Sequence, residues 1–415
     1  MHRARQYMAL AGLGIALLGG PALGQMAELP KPDETGIEAK PEVWASQARL
    51  FEMMSVMRQT RHSPVGEFEP PTVINTPGGP EVIYGNDDRQ DVYQIAGNPF
   101  YMSLQQACAI VVNVSDITYN AGTNTYSLSA FAWTTVGGTT VCPTEPFRGQ
   151  LELGFCSSFL VGTDLIAAAG HCVGPGDEGQ VAYIFGFDQQ SATIGPDTQV
   201  PADNVYIVTQ IVDRALGGDL DYCVSRVDRP VVGRTPLPVR RSGEPTAGDP
   251  LIMIGHPWGL PKKIDDGGQV QGVNPGQGFF TANVDAYGGN SGSMVINGNT
   301  GVIEGILVRG NPDWSFGACL QSNVCPNTGC PGFEEISKAT TFANSIPELG
   351  LVVNPGAGTT HIGVVGGPFT NDPVFYTLSN PTSGPISYEV RFAPGGTAPM
   401  TLNGGAGAIT GSLPA

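Results

Sequence analysis

The chain has 415 residues, a formal net charge of −17 and only 14% charged residues. This acidic balance argues against nucleic acid or an anionic membrane surface as the main partner. Glycine (58 residues) and proline (35 residues) are frequent. A loop-rich, sparsely charged β protein fits this composition, and at about 150 residues per domain the length predicts two or three units.

The first 24 residues have the layout of a secretory signal peptide. Arg3 and Arg5 precede an apolar run, Met8–Gly20, and the small-residue triplet Ala22-Leu23-Gly24 follows it. The apolar run is too short to span a bilayer, and no cysteine for a lipid anchor follows the cleavage site. The alternative is a buried N-terminal helix of a cytosolic protein. We expect a secreted protein, extracellular or periplasmic, that does not associate with membranes.

The region from residue 82 to about 350 is predicted to be all-β. Short β-branched and aromatic runs alternate there with clusters of Gly, Pro, Asn and Asp, a pattern typical of a sandwich or barrel. Helices are predicted only at Val43–Arg58, before this region, and at Glu334–Leu349. The predicted strands are Cys108–Val114, Thr125–Thr134, Ser157–Val161, Val181–Phe185, Asn204–Val212, Tyr222–Val227, Leu251–Ile254, Gly278–Asn283, Ser293–Ile296 and Gly301–Val308.

The C-terminal part of the chain is predicted to be a separate small module. Residues 353–362 have a linker composition, and residues 363–415 contain four short strand patterns without an obvious last strand to close a sheet. The four patterns are Gly363–Pro368, Val374–Leu378, Ser387–Phe392 and Met400–Leu402. We expect a small, incomplete β-sandwich, and no internal repeat is evident along the chain.

Eight cysteines permit a disulfide framework in an exported chain. A Cys156–Cys172 disulfide would tie two neighbouring strands and fix the turn that carries His171. Cys108–Cys142 is a second expected pair, because both residues lie in the same β-segment, and Cys223 is expected to be a free buried thiol. There is no C-x-x-C pair and the five histidines are scattered, so no structural metal site is expected.

Two motifs could supply a histidine and its orienting carboxylate. His171 ends the run Ile166–Cys172 (IAAAGHC), where a structural histidine is the alternative. Asp219 and Asp221 both precede an apolar strand, and either could be a solvated turn residue instead. We favour Asp221 because the strand begins immediately after it, so its carboxylate could be buried beside a histidine and hold its tautomer.

The third motif is Gly288–Val295 (GGNSGSMV), in which Ser291 is flanked by glycines. A nucleophilic serine needs a tight turn that exposes its hydroxyl and points backbone N–H groups at the developing oxyanion. Glycines permit such a turn, although they would also suit an ordinary hairpin. No lysine follows the glycines, so the motif does not resemble a phosphate-binding loop.

Together the three motifs are far more specific than each alone. Asp221 follows His171 by 50 residues, and Ser291 follows Asp221 by 70 residues. This order suits two six-stranded antiparallel β-barrels with a site in the cleft between them. On these residues, the region 82–352 resembles the chymotrypsin-like (trypsin-like) serine proteases and, more closely, the bacterial glutamyl endopeptidase branch.

The resemblance implies acyl transfer to Ser291, with His171 as the base, Asp221 as its orienting group, and the N–H groups of Gly289 and Ser291 as the oxyanion hole. It further implies protein or peptide substrates, no cofactor, and a structural role for His256. The alternative is a secreted binding or adhesion protein with a degenerate protease fold.

The segment Val82–Arg89 resembles a mature N-terminus of the glutamyl branch, which makes residues 25–81 a propeptide. Residues 363–415 weakly resemble the immunoglobulin-like modules of secreted bacterial enzymes.

Two positions depart from these families. Asn290 stands where the animal enzymes have an aspartate that pairs with a new N-terminal ammonium, so that activation switch is not expected here. Leu307 stands where the glutamyl branch has a histidine that helps to bind glutamate side chains.

The sequence therefore leaves open which substrate side chain the primary specificity pocket prefers. Asp285 lies six residues before Ser291, at the offset of the trypsin-like aspartate that selects Arg or Lys. Arg309 lies nearby in sequence, and pairing between it and Asp285 would leave a preference for uncharged side chains.

Overall fold

The computed structural model describes residues 83–310, 313–330 and 332–348, together with the backbone of six short strands nearer the two ends of the chain. The chain divides into two compact units, of which the larger spans Ala39–Pro347. The smaller unit comprises Met1–Glu38 and Glu348–Ala415. The predicted helix at Val43–Arg58 lies outside the described residues.

Twelve strands of the larger unit, numbered β1 to β12 in chain order, form two closed antiparallel barrels. The first barrel consists of β1 (Cys108–Asn113), β2 (Cys156–Leu160), β3 (Leu165–Ala168), β4 (Val181–Phe185), β5 (Val205–Gly217) and β6 (Leu220–Val227). The second consists of β7 (Pro250–Gly255), β8 (Lys263–Val273), β9 (Phe279–Ala282), β10 (Met294–Asn297), β11 (Ile303–Arg309) and β12 (Glu334–Lys338). The predicted architecture of two six-stranded barrels is confirmed.

The two barrels have the same strand order. Around the first barrel the neighbours run β1-β2-β3-β6-β5-β4, and around the second they run β7-β8-β9-β12-β11-β10. One hydrophobic cluster includes Phe159 and Val224 of the first barrel together with Ile254 and Met294 of the second. The barrels therefore share a continuous core, and the segments that connect their strands meet along the junction.

The remaining regular structure of the larger unit is short. Among the described residues there is one α-helix, α1 (Pro99–Gln105), which starts at Asn98 because that side chain accepts hydrogen bonds from two backbone N–H groups of the first turn. Single turns of 3₁₀-helix occur at Val92–Gln94, Val114–Asp116, Ala202–Asn204, Pro257–Gly259, Ala339–Thr341 and Ala343–Ser345. Short strands outside the barrels are Ile83–Tyr84, Gln90–Asp91, Ile117–Asn120, Thr125–Leu128, Phe131–Ala132, Thr135–Val136, Thr139–Thr140, Leu151–Glu152, Gln199–Pro201, Trp314–Phe316, Leu320–Ser322 and Val324–Cys325.

The predicted late helix at Glu334–Leu349 is wrong. Its first five residues are β12, which pairs with β9 and β11 and completes the second barrel. Helical propensity is a weak preference, and pairing on both edges overrides it. Lys338, which would be a solvated helix residue, is buried and forms an ion pair with Glu244.

The structure contains three disulfides, Cys142–Cys319, Cys156–Cys172 and Cys325–Cys330. The predicted Cys156–Cys172 pair and the free, buried Cys223 are thus confirmed. The predicted Cys108–Cys142 pair is wrong, because Cys142 is bonded to Cys319 and Cys108, on β1, is a free thiol. Cys142 lies instead on the insertion between β1 and β2 and pairs with a loop that follows β11.

The smaller unit contains the strands Tyr7–Leu10, Leu13–Leu17, Val352–Asn354, Thr377–Ser379, Ile386–Phe392 and Ile409–Leu413. Four of them form an antiparallel sheet in the order Tyr7–Leu10, Leu13–Leu17, Ile386–Phe392, Ile409–Leu413. Of the four predicted strands, Ser387–Phe392 lies within a described strand and Val374–Leu378 overlaps one. Gly363–Pro368 and Met400–Leu402 lie outside the described residues, and the immunoglobulin-like assignment stays a prediction. No helix in the described part of the chain is long and apolar enough to cross a membrane.

Candidate active site

His171 lies on the tight turn that follows β3. Gly170 is required in this turn, because a Cβ atom there would lie 2.4 Å from the carbonyl oxygen of Ala215. The Cys156–Cys172 disulfide ties the residue after His171 to the start of β2. The turn that carries His171 is thus fixed by close backbone packing at Gly170 and by a disulfide to a neighbouring strand.

Asp221, the second residue of β6, holds His171 through both of its carboxylate oxygens. Oδ2 lies 2.7 Å from Nδ1 of His171, and Oδ1 accepts a hydrogen bond of 3.0 Å from the backbone N–H of the same residue. Asp221 is completely buried, with an exposed fraction of 0%. Among the described residues Asp219 makes no contact with His171, so of the two candidate aspartates it is Asp221 that contacts the histidine.

This geometry fixes the imidazole tautomer. A carboxylate only accepts hydrogen bonds, so the ring proton lies on Nδ1 and the lone pair lies on Nε2. Nε2 of His171 is buried and has no hydrogen-bond partner in the described part of the chain. An unpaired, basic ring nitrogen is therefore available to accept a proton at this position.

Ser291 lies in the loop Gly288–Ser293, which we call the nucleophile loop, between β9 and β10. Gly289 and Gly292 adopt φ angles of +85° and +91°, which side chains other than glycine rarely tolerate. Space is equally restrictive, because a Cβ atom on Gly292 would lie 1.9 Å from the carbonyl oxygen of Ser157. The glycines predicted to permit a tight turn do so here.

The backbone N–H groups of the nucleophile loop fall into two sets. Those of Gly288, Asn290, Gly292 and Ser293 donate hydrogen bonds within the protein, to Asp313, Tyr287, Leu307 and Asn290 respectively. Those of Gly289 and Ser291 donate none to any described residue. The two N–H groups that the family resemblance implies as an oxyanion hole are therefore available to a ligand.

The nucleophile loop lies against the turn that carries His171. The carbonyl oxygen of Ser291 accepts a hydrogen bond of 2.8 Å from the N–H of Ser157 and lies 3.6 Å from Sγ of Cys172. A Cβ atom on Gly292 would approach the backbone nitrogen of Ala169 to 3.3 Å. Residues on either side of His171 therefore contact the loop that contains Ser291, and the structure brings the three predicted motifs together.

Two antiparallel six-stranded barrels, with a buried His–Asp pair on the first and a glycine-flanked serine on the second, are the arrangement of the chymotrypsin-like fold. The comparison with family models agrees, because residues 156–306 match the model described as "Trypsin-like peptidase domain". This match supports a trypsin-like peptidase domain over these residues, and such domains act on protein or peptide substrates. No curated protein matches the chain.

The carboxylate of Asp285 forms hydrogen bonds with other parts of the protein. Its oxygens accept hydrogen bonds from the backbone N–H groups of Tyr84 (2.7 Å) and Asp88 (2.9 Å), and its own N–H donates to Asp265. Burial raises the pKa of Asp285 to about 7 and the pKa of Asp265 well above its usual range, and the neighbouring carboxylate of Asp285 raises the latter further. Asp285 therefore anchors the segment at residues 84–88 to the stretch between β9 and the nucleophile loop.

Arg309, at the end of β11, forms an ion pair with Glu335 and lies over the ring of Phe279 at 5.2 Å. The ion pairs of the described residues do not include one between Arg309 and Asp285. The two candidate specificity residues thus have separate partners, Glu335 for Arg309 and the backbone of residues 84–88 for Asp285.

Two groups of side chains bring potential metal ligands within 4.8 Å of one another. In the first, His171 lies with Cys156 and Cys172, whose sulfurs are joined in a disulfide and so do not act as thiolate ligands. In the second, Asp88 lies with Asp265 and Asp285, and the oxygens of the latter two accept backbone N–H groups. The first group therefore offers one imidazole and the second only carboxylates, so neither has the full set of thiolate and imidazole donors typical of a zinc site.

Several residues that shape the site carry no recognisable sequence signal. Ser157 and Trp258 contact the nucleophile loop through hydrogen bonds, and Ser337 donates one of 2.9 Å to the carbonyl oxygen of Asp221. Asn290 is buried, and its Oδ1 accepts a hydrogen bond from Ser293 within the loop. His256 donates through Nδ1 to the carbonyl oxygen of Leu260, a contact that serves the local backbone.

Proposed function

We propose that the chain is a secreted serine endopeptidase that hydrolyses peptide bonds through an acyl-enzyme on Ser291. One observation carries the proposal. The His171–Asp221 pair leaves Nε2 of His171 without a hydrogen-bond partner. The adjacent loop contains a glycine-flanked serine and two backbone N–H groups that donate no hydrogen bond to any described residue. The family match of residues 156–306 supports the peptidase reaction.

In the proposed first step, Oγ of Ser291 attacks the carbonyl carbon of the scissile peptide while Nε2 of His171 takes the hydroxyl proton. The C–N bond then breaks, and the imidazolium returns the proton to the leaving amine. Water attacks the resulting ester by the same route, with His171 again as base, and the free acid leaves. Asp221 keeps the proton on Nδ1 and stabilises the imidazolium that forms in each step.

The N–H groups of Gly289 and Ser291 are the proposed oxyanion hole. In each tetrahedral intermediate the substrate oxygen carries a negative charge that these groups can stabilise. A single donor of this kind contributes roughly 3–4 kcal/mol in comparable sites. The backbone geometry of the loop supports this role, because all its other N–H groups already have acceptors in the protein.

We propose that the enzyme prefers uncharged side chains at the primary specificity position. Both oxygens of Asp285 are engaged by backbone N–H groups, and Arg309 is paired with Glu335. Each of the two side chains thus already has a partner within the protein, which favours an uncharged substrate side chain at this position. The expected order of kcat/KM on matched peptides is Phe above Arg and Glu, and the change Asp285→Ser should not lower the rate on Arg selectively.

Secretion and processing are part of the proposal. The N-terminal pattern supports cleavage after Gly24, and the Val82–Arg89 pattern supports a second cleavage between Glu81 and Val82. Three disulfides fit an oxidising compartment. N-terminal sequencing of the secreted, active form should give Val82, and a start far from it would contradict the propeptide boundary.

A fluorophosphonate probe tests the central claim. The probe should label the secreted protein at Ser291, and mass spectrometry of the labelled peptide identifies the residue. Ser291→Ala should abolish labelling, whereas Ser293→Ala, in the same loop and also buried, should keep it. If the processed parent protein is not labelled, the binding or adhesion alternative is favoured instead.

Cleavage of a peptide library, read by mass spectrometry, tests the substrate class. The parent should produce internal cleavages, and Ser291→Ala should produce none. Hydrolysis of simple esters without peptide cleavage would contradict the endopeptidase assignment while leaving the catalytic serine intact.

A further inference from the structure

Ser157, on β2 of the first barrel, makes two contacts with the nucleophile loop of the second barrel. Its N–H donates to the carbonyl oxygen of Ser291 at 2.8 Å, and its Oγ lies 3.1 Å from the carbonyl oxygen of Gly289. The same Oγ lies 2.8 Å from the backbone nitrogen of His256. Ser157 is completely buried, so its hydroxyl bonds to these groups rather than to bulk water.

The direction of both hydrogen bonds is fixed by the chemistry of the partners. A carbonyl oxygen only accepts, so the hydroxyl proton of Ser157 points at Gly289. A backbone N–H only donates, so a lone pair of the same oxygen accepts from His256. One hydroxyl therefore bridges the strand end at His256 and the loop at Gly289 with no rotational freedom left.

The hydrogen bonds of Ser157 fix the orientation of the peptide plane that lies between the two proposed oxyanion donors, the N–H groups of Gly289 and Ser291. In a trans peptide the N–H points opposite to the C=O. The carbonyl groups of Gly288 and Asn290 accept from Trp258 (2.6 Å) and Ser293 (2.7 Å), so the N–H groups of Gly289 and Ser291 point away from these donors. The plane between them, formed by the carbonyl of Gly289 and the N–H of Asn290, is held by the hydroxyl of Ser157 and by Tyr287.

The backbone of this loop needs such hydrogen bonds to stay in one conformation, because glycine is flexible. Gly289 adopts a φ of +85° and has no Cβ to exclude other backbone conformations. Rotation of the plane after Gly289 would carry the N–H groups on either side out of their orientation. Asn290 has no charge for an ion pair with an N-terminal ammonium, so that source of order is absent at this position.

We propose that the hydroxyl of Ser157 is a positioning group for the oxyanion hole, holding the nucleophile loop in its active conformation across the barrel junction. The inference rests on the proposed peptidase function and adds a residue to it. Ser157 is completely buried and we expect it to make no contact with the substrate. Its loss should therefore weaken stabilisation of the tetrahedral intermediate without altering ground-state binding.

The test compares Ser157→Ala with Ser158→Ala. Ser158 is the next residue of β2, is equally buried, and its hydroxyl donates to the carbonyl of Ala109 within the first barrel. Kinetics use a peptide cleaved by the parent, with active sites titrated by fluorophosphonate so that misfolded protein is not counted. A peptide aldehyde, which forms a tetrahedral adduct on the serine, reports on the oxyanion hole, and a non-cleavable peptide reports on ground-state binding.

We expect Ser157→Ala to lower kcat by about tenfold with KM unchanged, a smaller effect than the 10²–10³ seen when an oxyanion donor itself is removed. Affinity for the aldehyde should fall by the same factor, and affinity for the non-cleavable peptide should not change. Ser158→Ala should match the parent in all three measurements. If Ser157→Ala does not fold, Ser157→Gly removes the same hydroxyl and leaves room for a water molecule.

Equal kcat and aldehyde affinity in Ser157→Ala and Ser158→Ala would overturn the inference, provided that the parent is active. A parent that neither reacts with the probe nor cleaves peptides would instead overturn the proposed function. A fall in kcat for Ser157→Ala that is matched by weaker binding of the non-cleavable peptide would also contradict a role confined to the oxyanion hole.

Discussion

Asp221 can be changed to asparagine with almost no change in volume, which makes Asp221→Asn the sharpest test of the His–Asp pair. The backbone N–H of His171 needs an acceptor, because it is buried against the side chain of residue 221. An asparagine there would turn its oxygen toward that N–H and its NH₂ group toward Nδ1. Nδ1 then has to accept, and the ring proton moves to Nε2, where it blocks proton transfer from Ser291.

The expected loss follows from this tautomer. A histidine with its proton on the wrong nitrogen costs about 10⁴ in kcat in a comparable triad, or roughly 5.4 kcal/mol at 1.36 kcal/mol per tenfold. Stability should change far less, because both hydrogen-bonding positions of Asp221 stay filled. Asp221→Ala should lose a similar amount of activity but unfold at a lower temperature, because the buried N–H of His171 then loses its acceptor.

The assay measures kcat on a fluorogenic peptide and thermal unfolding of the same samples. Asp219→Asn is the matched control, two residues earlier on the same chain segment and with no contact to His171 among the described residues. It should retain parental activity. Comparable losses in Asp219→Asn and Asp221→Asn, or more than a tenth of parental kcat in Asp221→Asn, would refute the assignment of Asp221.

Three further outcomes are expected. A double variant with His171→Ala and Ser291→Ala should be no less active than Ser291→Ala alone, because the groups act as a unit; a further fall in kcat would show independent contributions. Replacing Cys142 and Cys319 by serine should lower the free energy of unfolding by roughly 5 kcal/mol in the chain-entropy model, since their separation of 177 residues is the longest loop closed by a disulfide here; denaturant unfolding measures it. Burial raises the pKa of Asp285 to about 7, so the folded state holds this proton more tightly than the unfolded state, and the free energy of unfolding should fall as pH rises from about 4 to 7. The fall should be smaller in Asp285→Asn, and equal slopes would contradict the raised pKa.

Most of the barrel strands could be predicted because buried strands are continuous apolar runs. β3 was missed because Leu165–Ala168 is alanine-rich and has no β-branched residue except Ile166. β8 was missed because Lys263–Val273 contains paired aspartates and glycines, which are rare in strands. Gly267 and Gly268 belong there because a Cβ atom would lie 2.1 Å from Asp88 and 2.5 Å from Val284 respectively, contacts that exist only after folding.

The shared strand order of the two barrels left no trace in the sequence. A barrel strand requires side chains that fill the interior, and many apolar residues satisfy that requirement. The cysteine pairing was similarly hidden, because Cys142 and Cys319 are brought together by an insertion and a distant loop. Only the Cys156–Cys172 pair could be predicted, because its members lie close in sequence, one at the start of β2 and the other in the turn after β3.

The candidate catalytic residues could be predicted because each lies in a short segment whose local chemistry is distinctive. The residues that hold them are ordinary serines with no motif. Ser157 of the first barrel binds the nucleophile loop of the second, and Ser337 of the second barrel donates to the carbonyl oxygen of Asp221 on the first. Each barrel therefore supplies a buried hydroxyl to the segment of the other that carries a candidate catalytic residue. The proposed reaction needs Nε2 of His171 to lie close to Oγ of Ser291, and the two residues lie on different barrels. Hydrogen bonds that cross the junction in both directions would hold the barrels, and hence these two side chains, in a fixed relative position. Such restraints depend on how two barrels dock, and for that reason no stretch of sequence alone could reveal them.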